Sequence, residues 1–373
     1  MKMGTAALLS FGAAVVVSTE FVIIGLIPAM AAKFRLAASE VGWLVTLFAL
    51  ASALLGPVLV ATTTRLQSTK VMAAALLPFA ANLMLFAFPR FEVVVILRVL
   101  QGAALPLFMS LAAAQLAAAR GAGRGVAFLY IGVTIGGTLA PPFGAFAASR
   151  FSWETPMAMI GALALAPAAA CLAFRRRESV DEQDSPWRLL TAPSVGAHLL
   201  LSALLFAAMF TGFSYIALLL QHAGLDSDAV TAALLGFGVA SLGGNWLAGL
   251  LARWALPASQ GIVLAIVAAV ACLSIAGKGD MVIGAAILIW GAAHAASFVF
   301  CQVRVMAVIP EAPGFAGALN ISAANIGIAI GSFAGGHAIA LSGFTALAFT
   351  TFVLGLFSMM LVYWIVRRRC LAG

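Results

Sequence analysis

The feature that most constrains this chain is a series of apolar runs, each long enough to cross a membrane. About 20 apolar residues in α-helical form span the hydrocarbon core of a bilayer. Main-chain polar groups in lipid must bond internally, which leaves helices or a closed barrel, and a barrel would show short segments of alternating polarity. We therefore predict an all-α polytopic membrane protein. Its twelve predicted spans are residues 6–31, 41–63, 70–89, 93–118, 126–149, 156–174, 193–220, 229–252, 258–276, 281–308, 316–341 and 344–366.

The composition excludes a water-soluble globular fold. Charged residues make up 9% of the chain and hydrophobic residues 64%, whereas a soluble domain carries about 25% charged residues. The cysteines Cys171, Cys272 and Cys301 lie in apolar runs without CxxC spacing. Neither a disulfide framework nor a metal site is expected from them. The chain has no P-loop sequence, so ATP hydrolysis is not expected, and neither is a cofactor.

The net charge of +8 is explained by topology rather than by nucleic-acid binding. If the N-terminus is cytoplasmic, most basic residues, including Arg304, fall in cytoplasmic segments. The exceptions are Arg98, which lies within a span, and the residues of the outer loops. This bias follows the positive-inside rule. It predicts an inner-membrane protein with both termini in the cytoplasm. The outer-loop residues are Lys33, Arg35, Arg90, Arg150 and Lys278.

The two halves of the chain are related in sequence. Residues 38–56 align with 227–245, which pairs Phe48 with Phe237 and Ser52 with Ser241. Two further alignments pair QGAA with WGAA, and IGVTIG with IGIAIG; their ranges are 101–104 with 290–293, and 131–136 with 326–331. We predict two six-helix pseudo-repeats joined by a charged cytoplasmic linker. Parallel repeats of this kind are typical of transporters that bind substrate where the repeats meet. The predicted boundaries are 1–177 for the first half, 178–192 for the linker and 193–373 for the second half.

Two charged residues lie well inside predicted spans, away from the span ends. Glu20 is the only one of the 12 acidic residues in the middle of a predicted helix, and Arg98 is the basic residue placed within one. A charge at the bilayer centre costs at least about 2.5–3.5 kcal/mol, so such residues usually face a cavity or a partner. Glu20 is a candidate for proton coupling, with Arg98 as its partner. The alternative is a structural acid, hydrogen-bonded between helices or permanently paired with Arg98.

His294 lies in the middle of the tenth predicted helix, in WGAAHAA. Histidine titrates near neutral pH, so His294 is a further candidate for proton coupling, or else a hydrogen-bonded packing residue. The fifth helix carries Gly132, Gly136, Pro141 and Gly144. Small residues allow helices to approach closely and proline bends them. A contribution of this helix to gating would therefore be indirect.

Four segments, in order, resemble the major facilitator superfamily, and within it the twelve-helix drug:proton antiporters that include bacterial sugar, nucleoside and multidrug exporters. STEFVIIGLIPAMA is similar to the first helix of that family and LRVLQG to its fourth-helix arginine motif. YIGVTIGGTLAPPFGA is similar to the fifth helix associated with export, and GALNISAANIGIAIGSFAGG to the eleventh. The segments begin at Ser18, Leu97, Tyr130 and Gly317.

The loop between the second and third helices departs from the family pattern. In GPVLVATTTRLQSTK, which starts at Gly56, Arg65 and Lys70 match the family, but Thr64 stands where an aspartate is usual. The second half has Arg253 where an acid is common. In the family, an acid at these positions helps to hold the cytoplasmic side closed. The resemblance therefore implies that the cytoplasmic gate of this protein is held closed less tightly.

The resemblance also indicates which helices line the central cavity. Those helices supply an apolar, aromatic set that suits a small amphipathic solute better than a polyanion: Phe21, Trp43, Phe108, Phe213, Tyr215, Asn245, Trp246, Trp290, Asn320 and Asn325.

The combined prediction is an alternating-access secondary transporter, not an enzyme, that exports a small organic compound in exchange for protons. Its expected partners are that compound, protons and membrane lipid, with no nucleic acid, and a monomer is expected. Uncoupled facilitation or uptake is the alternative transport mode. An alternative of another class is a non-transporting membrane sensor or assembly protein on a degenerate transporter scaffold. Flux in proteoliposomes distinguishes transport from sensing.

Overall fold

A computed structural model describes residues 3–36, 38–63, 65–173, 188, 192–274 and 279–372. Most of the predicted linker and Thr64 lie outside the described residues. The first half contains six long helices: α1 Met3–Phe34, α2 Ala38–Thr62, α3 Ser68–Ala80, α4 Phe91–Arg120, α5 Ala122–Arg150 and α6 Glu154–Ala173.

The second half repeats this order. It contains α7 Pro193–Phe213 with a short helix Ile216–His222 after it, then α8 Ser227–Leu250, α9 Ala255–Leu273, α10 Asp280–Val308 and a helical stretch Pro313–Ala372. Ser342 and Gly343 have non-helical dihedral angles and divide this stretch into α11, residues 313–341, and α12, residues 344–372.

The described helices confirm the predicted membrane class. Eleven of them are long and apolar enough to cross a membrane. Since Pro313–Ala372 counts as one of the eleven but contains two segments, the described chain has the twelve predicted spans. The predicted all-α, twelve-helix fold is therefore correct.

Two predicted spans differ in detail from the structure. The third was predicted as one helix to residue 89, but its α-helical part ends at Ala80 and continues as a 3₁₀ helix, Ala81–Phe86. At this change Gln101 of α4 donates to the Pro78 carbonyl at 3.0 Å and to Asn82 Oδ1 at 2.8 Å. The seventh was predicted to run unbroken to residue 220, but it is interrupted after α7. The Tyr215 hydroxyl, at the interruption, donates to the main chain of α11.

The chain divides into two compact units. The first contains α1–α4, α5 from Phe128, α6 and Ala312–Ser322. The second contains Ala122–Ala127, α7–α10 and Ala323–Gly373. Each unit has its own apolar core. In the second, for example, Leu201 of α7 packs with Leu256 of α9 and with Val362 and Ile365 of α12.

The sequence repeat corresponds to a repeated contact between helices. In the first unit, Gly102 of α4 lies against the Phe48 carbonyl of α2, so close that a Cβ at Gly102 would overlap the carbonyl oxygen. In the second unit, Gly291 of α10 lies in the same way against the Phe237 carbonyl of α8. These are two aligned residue pairs. The alignment therefore records a conserved helix contact within each half.

A second repeated contact joins the first and fifth helices of each half. In the first unit Gly132 and Gly136 of α5 lie against main-chain atoms of α1 at Ser10 and Ala14. In the second unit Gly327 and Gly331 of α11 lie against α7. Their contacts are the carbonyls of Ala203 and Ala207. Glycine lets main chain meet main chain, as in tightly packed membrane helices.

Candidate functional site

The centre of the first unit is a buried arginine that joins three helices. Arg98 of α4 has no exposed surface. Its Nε donates to the Leu44 carbonyl of α2 at 3.2 Å, and its two terminal nitrogens donate to the carbonyls of Thr19 and Glu20 on α1 at 2.7 and 3.0 Å. The guanidinium also lies 4.4 Å from the Phe48 ring centroid. We call Arg98 with Thr19, Glu20, Leu44 and Phe48 the arginine centre.

Glu20 contributes its carbonyl, not its carboxylate, to these hydrogen bonds. The carboxylate is attracted electrostatically to Arg98, and the side chain is only partly buried. No bidentate hydrogen bond fixes the Glu20 carboxylate to the guanidinium. The carboxylate can therefore gain or lose a proton while the hydrogen bonds of Arg98 to the three carbonyls stay in place. The predicted proximity of Glu20 and Arg98 is present, and its use in proton coupling stays a prediction.

The second unit contains an aromatic cage around His294. Its ring centroid lies 4.2 Å from that of Phe213, 5.3 Å from Phe237, 5.6 Å from Phe298 and 5.7 Å from Phe210. These rings come from α7, α8 and α10. His294 is 8% exposed, while Phe213 and Phe298 are partly exposed. We call His294 with these four phenylalanines the histidine cage.

Two buried polar atoms in this region have no hydrogen-bond partner in the described chain. They are His294 Nδ1 and Trp290 Nε1. Trp290 is fully buried and its ring lies edge-on to Phe237, with centroids 5.9 Å apart. Buried polar atoms are normally bonded. This apolar site therefore has unused hydrogen-bonding capacity, which suits an amphipathic solute.

The remaining predicted binding residues are dispersed. Trp43 and Trp246 are exposed, at 60% and 65%. Phe21 of α1 packs near Gly137 of α5, and Phe108 is fully buried against Gly12. The three predicted asparagines are buried: Asn245 on α8, and Asn320 and Asn325 on α11.

Tyr215 has a defined bond, since its hydroxyl donates to the Ser332 carbonyl at 2.8 Å. Of the predicted binding residues, the structure gathers Phe213 and Trp290 with His294 in or beside the histidine cage. Phe21 neighbours Glu20 along α1.

The predicted gating residues form two groups. Gly56 of α2 is buried against Pro106 of α4, while Arg65 and Lys70 are exposed beyond the end of α2. Thr64 lies outside the described residues. On α5, Gly132, Gly136, Pro141 and Gly144 all contact α1. The structure thus gives the α5 series a packing role.

A cavity of about 810 Å³ lies between α1, α5 and α6 in the first unit. Its lining is almost wholly apolar and includes Phe11, Phe128, Phe143 and Phe146. Of the predicted site residues only Gly132 contributes to it. Because neither charged residue of the arginine centre lines this cavity, we do not assign it to the coupling site.

Sequence reasoning missed a second buried arginine. Arg304, predicted to lie in a cytoplasmic segment, is 3% exposed and lies within α10, four residues before its end. It bonds to His198 and Ser202 of α7. Arg304 was missed because it lies close to the predicted end of a span. The presence of His198 on another predicted helix, as a possible partner for this basic residue, is the sequence signal that could have found it.

Glu154 is an acidic residue that is buried at the start of a helix. It begins α6, is 9% exposed, and its Oε2 has no hydrogen-bond partner in the described chain. A carboxylate at a helix N-terminus is favoured by the helix dipole. This gives Glu154 a structural reason to be buried there.

The fold matches solved transporters over nearly their full length. An organic anion transporter from human, MFSD10 (TETRAN), is 18% identical with a TM-score of 0.74, over 96% of this chain and 98% of that one. The transporter FucP in an outward conformation is 15% identical with a TM-score of 0.73, over 95% and 98% of the two chains. A variant of the E. coli fucose:proton symporter FucP is 14% identical with a TM-score of 0.73, over 96% and 98%.

These identities show a shared fold. The family itself is shown by sequence, because residues 9–320 match the family model of the Major Facilitator Superfamily. That match includes the arginine centre and the histidine cage. The chain therefore belongs to the Major Facilitator Superfamily of membrane transporters, and it is not an enzyme.

Proposed function

We propose that the protein exports a small amphipathic organic compound from the cytoplasm of a bacterium in exchange for protons. The observation that carries the proposal is the arginine centre. Arg98 is held by three main-chain carbonyls, so its position does not depend on the charge of the Glu20 carboxylate. Glu20 can then alternate between charged and neutral forms while the three helices stay joined.

The electrostatics of the arginine centre favour such alternation. Carbonyl dipoles and the Phe48 face stabilise the guanidinium without neutralising it. Ionised Glu20 compensates the positive charge of Arg98, whereas protonated Glu20 leaves that charge uncompensated. The balance between these two states is therefore open to a proton or to a substrate cation, which is what an exchange cycle requires.

The histidine cage supports an amphipathic substrate. Phenylalanine rings bury apolar surface, and the unpaired atoms Trp290 Nε1 and His294 Nδ1 offer a donor and, in the tautomer with the proton on Nε2, an acceptor. A site of this kind rejects compounds that leave its polar atoms unpaired. We place the specificity of the transporter here and its proton coupling at Glu20, with His294 as the next coupling candidate.

Two observations bear on the direction of transport. The similarity of residues 130–145 to the fifth helix of exporters supports export. A solved structure of similar fold is a fucose:proton symporter, which supports proton-driven uptake as a second candidate. Both directions use the same arginine centre. The sign of the proton movement distinguishes them.

The test is transport by purified protein in proteoliposomes that contain the pH dye pyranine. A thermal-shift screen of small amphipathic compounds first supplies a substrate. Export in exchange for protons predicts that substrate and protons cross in opposite directions. Glu20→Gln should bind substrate and exchange it, but lose accumulation driven by a proton gradient, because the amide fixes the neutral state.

Glu92→Gln is the matched control. Glu92 is an exposed acid in the first turn of α4, and its loss should leave coupling unchanged. Protons and substrate moving together would indicate symport instead. Proton-driven accumulation at parental rates by a folded Glu20→Gln protein would remove Glu20 from the coupling mechanism.

A further inference from the structure

Arg304 joins α10 to α7 through a compact set of hydrogen bonds. One terminal nitrogen donates to the His198 carbonyl at 2.9 Å and lies 3.2 Å from His198 Nδ1. The other donates to Ser202 Oγ at 2.8 Å and to Cys301 Sγ at 3.5 Å. Arg304, His198 and Ser202 are 3%, 1% and 0% exposed. We call Arg304, His198, Ser202 and Cys301 the α7–α10 clasp.

The clasp fixes the protonation state of His198. A guanidinium has donors only and no acceptor, so His198 Nδ1 must accept the bond from Arg304. The imidazole proton is then on Nε2 and the ring is neutral. A second proton, on Nδ1, would remove the acceptor and place two positive charges side by side in a buried site. The Arg304–His198 Nδ1 contact of the clasp therefore requires His198 to stay neutral.

No carboxylate is among the hydrogen-bond partners of Arg304 in the described chain. Two of the neighbouring helices carry few titratable groups. In α9 the sequence contains no titratable residue from Ala255 to Val270, and in α11 only His337, near its end. α12 packs on Leu201 of α7. Among the described residues, the other charged or titratable groups on or beside the packed helices are Arg188, Tyr215, His222, Asp226, Asp228, Arg253, Cys272, Asp280, His294, Glu311, Tyr363, Arg367, Arg368, Arg369 and Cys370.

We propose that His198 is a second proton-binding site, distinct from the arginine centre, and that its protonation opens the clasp and so loosens α10 from α7 at this end. His198 lies five residues into α7, at the end that the charge bias places in the cytoplasm. The site would report cytoplasmic acidity to the second unit. This goes beyond the proposed export, since it requires only that the clasp open on protonation, and it is independent of Glu20.

Cys301 provides a reporter within the clasp. In full-length protein with C171S, C272S and C370S, reconstituted in nanodiscs, Cys301 is the only remaining cysteine. Its alkylation by N-ethylmaleimide is measured at about pH 5.5 and about pH 8, on either side of the ordinary titration of histidine. Thiol reactivity itself varies with pH. Each rate is therefore divided by that of His198→Asn in the same background, whose amide oxygen can accept the Arg304 bond but cannot titrate.

The expected ratio of parent to His198→Asn is near one at the higher pH and rises about fivefold at the lower pH, as histidine protonates. His222→Asn, at a histidine that is exposed and contacts the Ser274 carbonyl, should behave as the parent. A ratio near one at both pH values would overturn the proposal. The rise should persist with Glu20→Gln, so loss of proton coupling at the arginine centre would not remove it.

A second measurement covers the case in which His198→Asn does not fold. Hydrogen exchange of the unmodified protein, corrected for intrinsic rates, should show α7 and α10 losing protection at the lower pH while α2 and α4 keep theirs. Unchanged protection in α7 and α10 would refute release of the clasp.

Discussion

Replacing Gly291 with alanine adds a methyl group where α10 meets the Phe237 carbonyl of α8. The new Cβ would overlap that carbonyl oxygen, and main chain cannot move aside as a flexible side chain can. Alanine gains about 1 kcal/mol over glycine in a helix interior, whereas overpacking costs about 1–3 kcal/mol. We therefore expect Gly291→Ala to lower the free energy of unfolding by up to about 2 kcal/mol.

Gly284 is the matched control, because it lies two turns earlier on α10 and a Cβ there meets no atom within 4 Å. Gly284→Ala should be neutral or stabilising by up to about 1 kcal/mol. The two variants are compared by denaturant unfolding in mild detergent, followed by tryptophan fluorescence. The expected difference in unfolding free energy is about 1–3 kcal/mol. Equal stability of the two variants would refute the close contact.

Glycine-to-alanine substitutions also test the structural repeat and the histidine cage. Gly102→Ala should destabilise by a similar amount, because Gly102 meets the Phe48 carbonyl in the aligned position. Gly291→Ala should also weaken substrate binding, since Phe237 lies 5.3 Å from His294 and would be displaced with its main chain. Gly284→Ala should bind as the parent does.

Three further predictions concern single residues and topology. Arg98→Lys keeps the charge but places its donors on one nitrogen, which lacks the spread of the guanidinium fork that reaches the three carbonyls, so we expect a loss of about 3 kcal/mol in thermal or denaturant unfolding, and parental stability would mean that the carbonyl bonds contribute nothing. Trp290→Phe removes an unpaired N–H, so stability should stay within about 1 kcal/mol of the parent while substrate affinity, measured by titration calorimetry, falls about tenfold; unchanged affinity would remove Trp290 from the site. Reporter fusions should give a cytoplasmic signal at residue 122 and a periplasmic signal at residue 224, and the reverse pattern would invert the predicted topology.

The fold could be predicted because lipid imposes one dominant constraint. Run length alone located the spans, and the paired Phe48 and Phe237 located the repeat. Boundaries were predicted less well where side chains from another helix intervene. Gln101 bonds to the Pro78 carbonyl where α3 becomes a 3₁₀ helix, and no local pattern in residues 70–89 encodes that partner.

The candidate site could be predicted only in part. The proximity of Glu20 and Arg98 was predicted from their isolation in apolar sequence together with the family resemblance, which implies that the first and fourth helices line the same cavity. That Arg98 bonds to the carbonyl of Glu20 rather than to its carboxylate could not be inferred, because carbonyls are present at every position. Arg304 was assigned to the cytoplasm because it lies near a helix end, where a long side chain usually reaches water. Its burial depends on His198, which is 106 residues away.

The contacts of Gly102 with Phe48 and of Gly291 with Phe237 have a mechanical consequence. Where main chain meets main chain there is no side-chain rotamer to change and little slack between the helices. We therefore expect two helix pairs to move as rigid bodies: α2 with α4, and α8 with α10. Deformation during a transport cycle would concentrate where the helices are already interrupted, at Ser214–Tyr215 after α7 and at Ser342–Gly343 between α11 and α12.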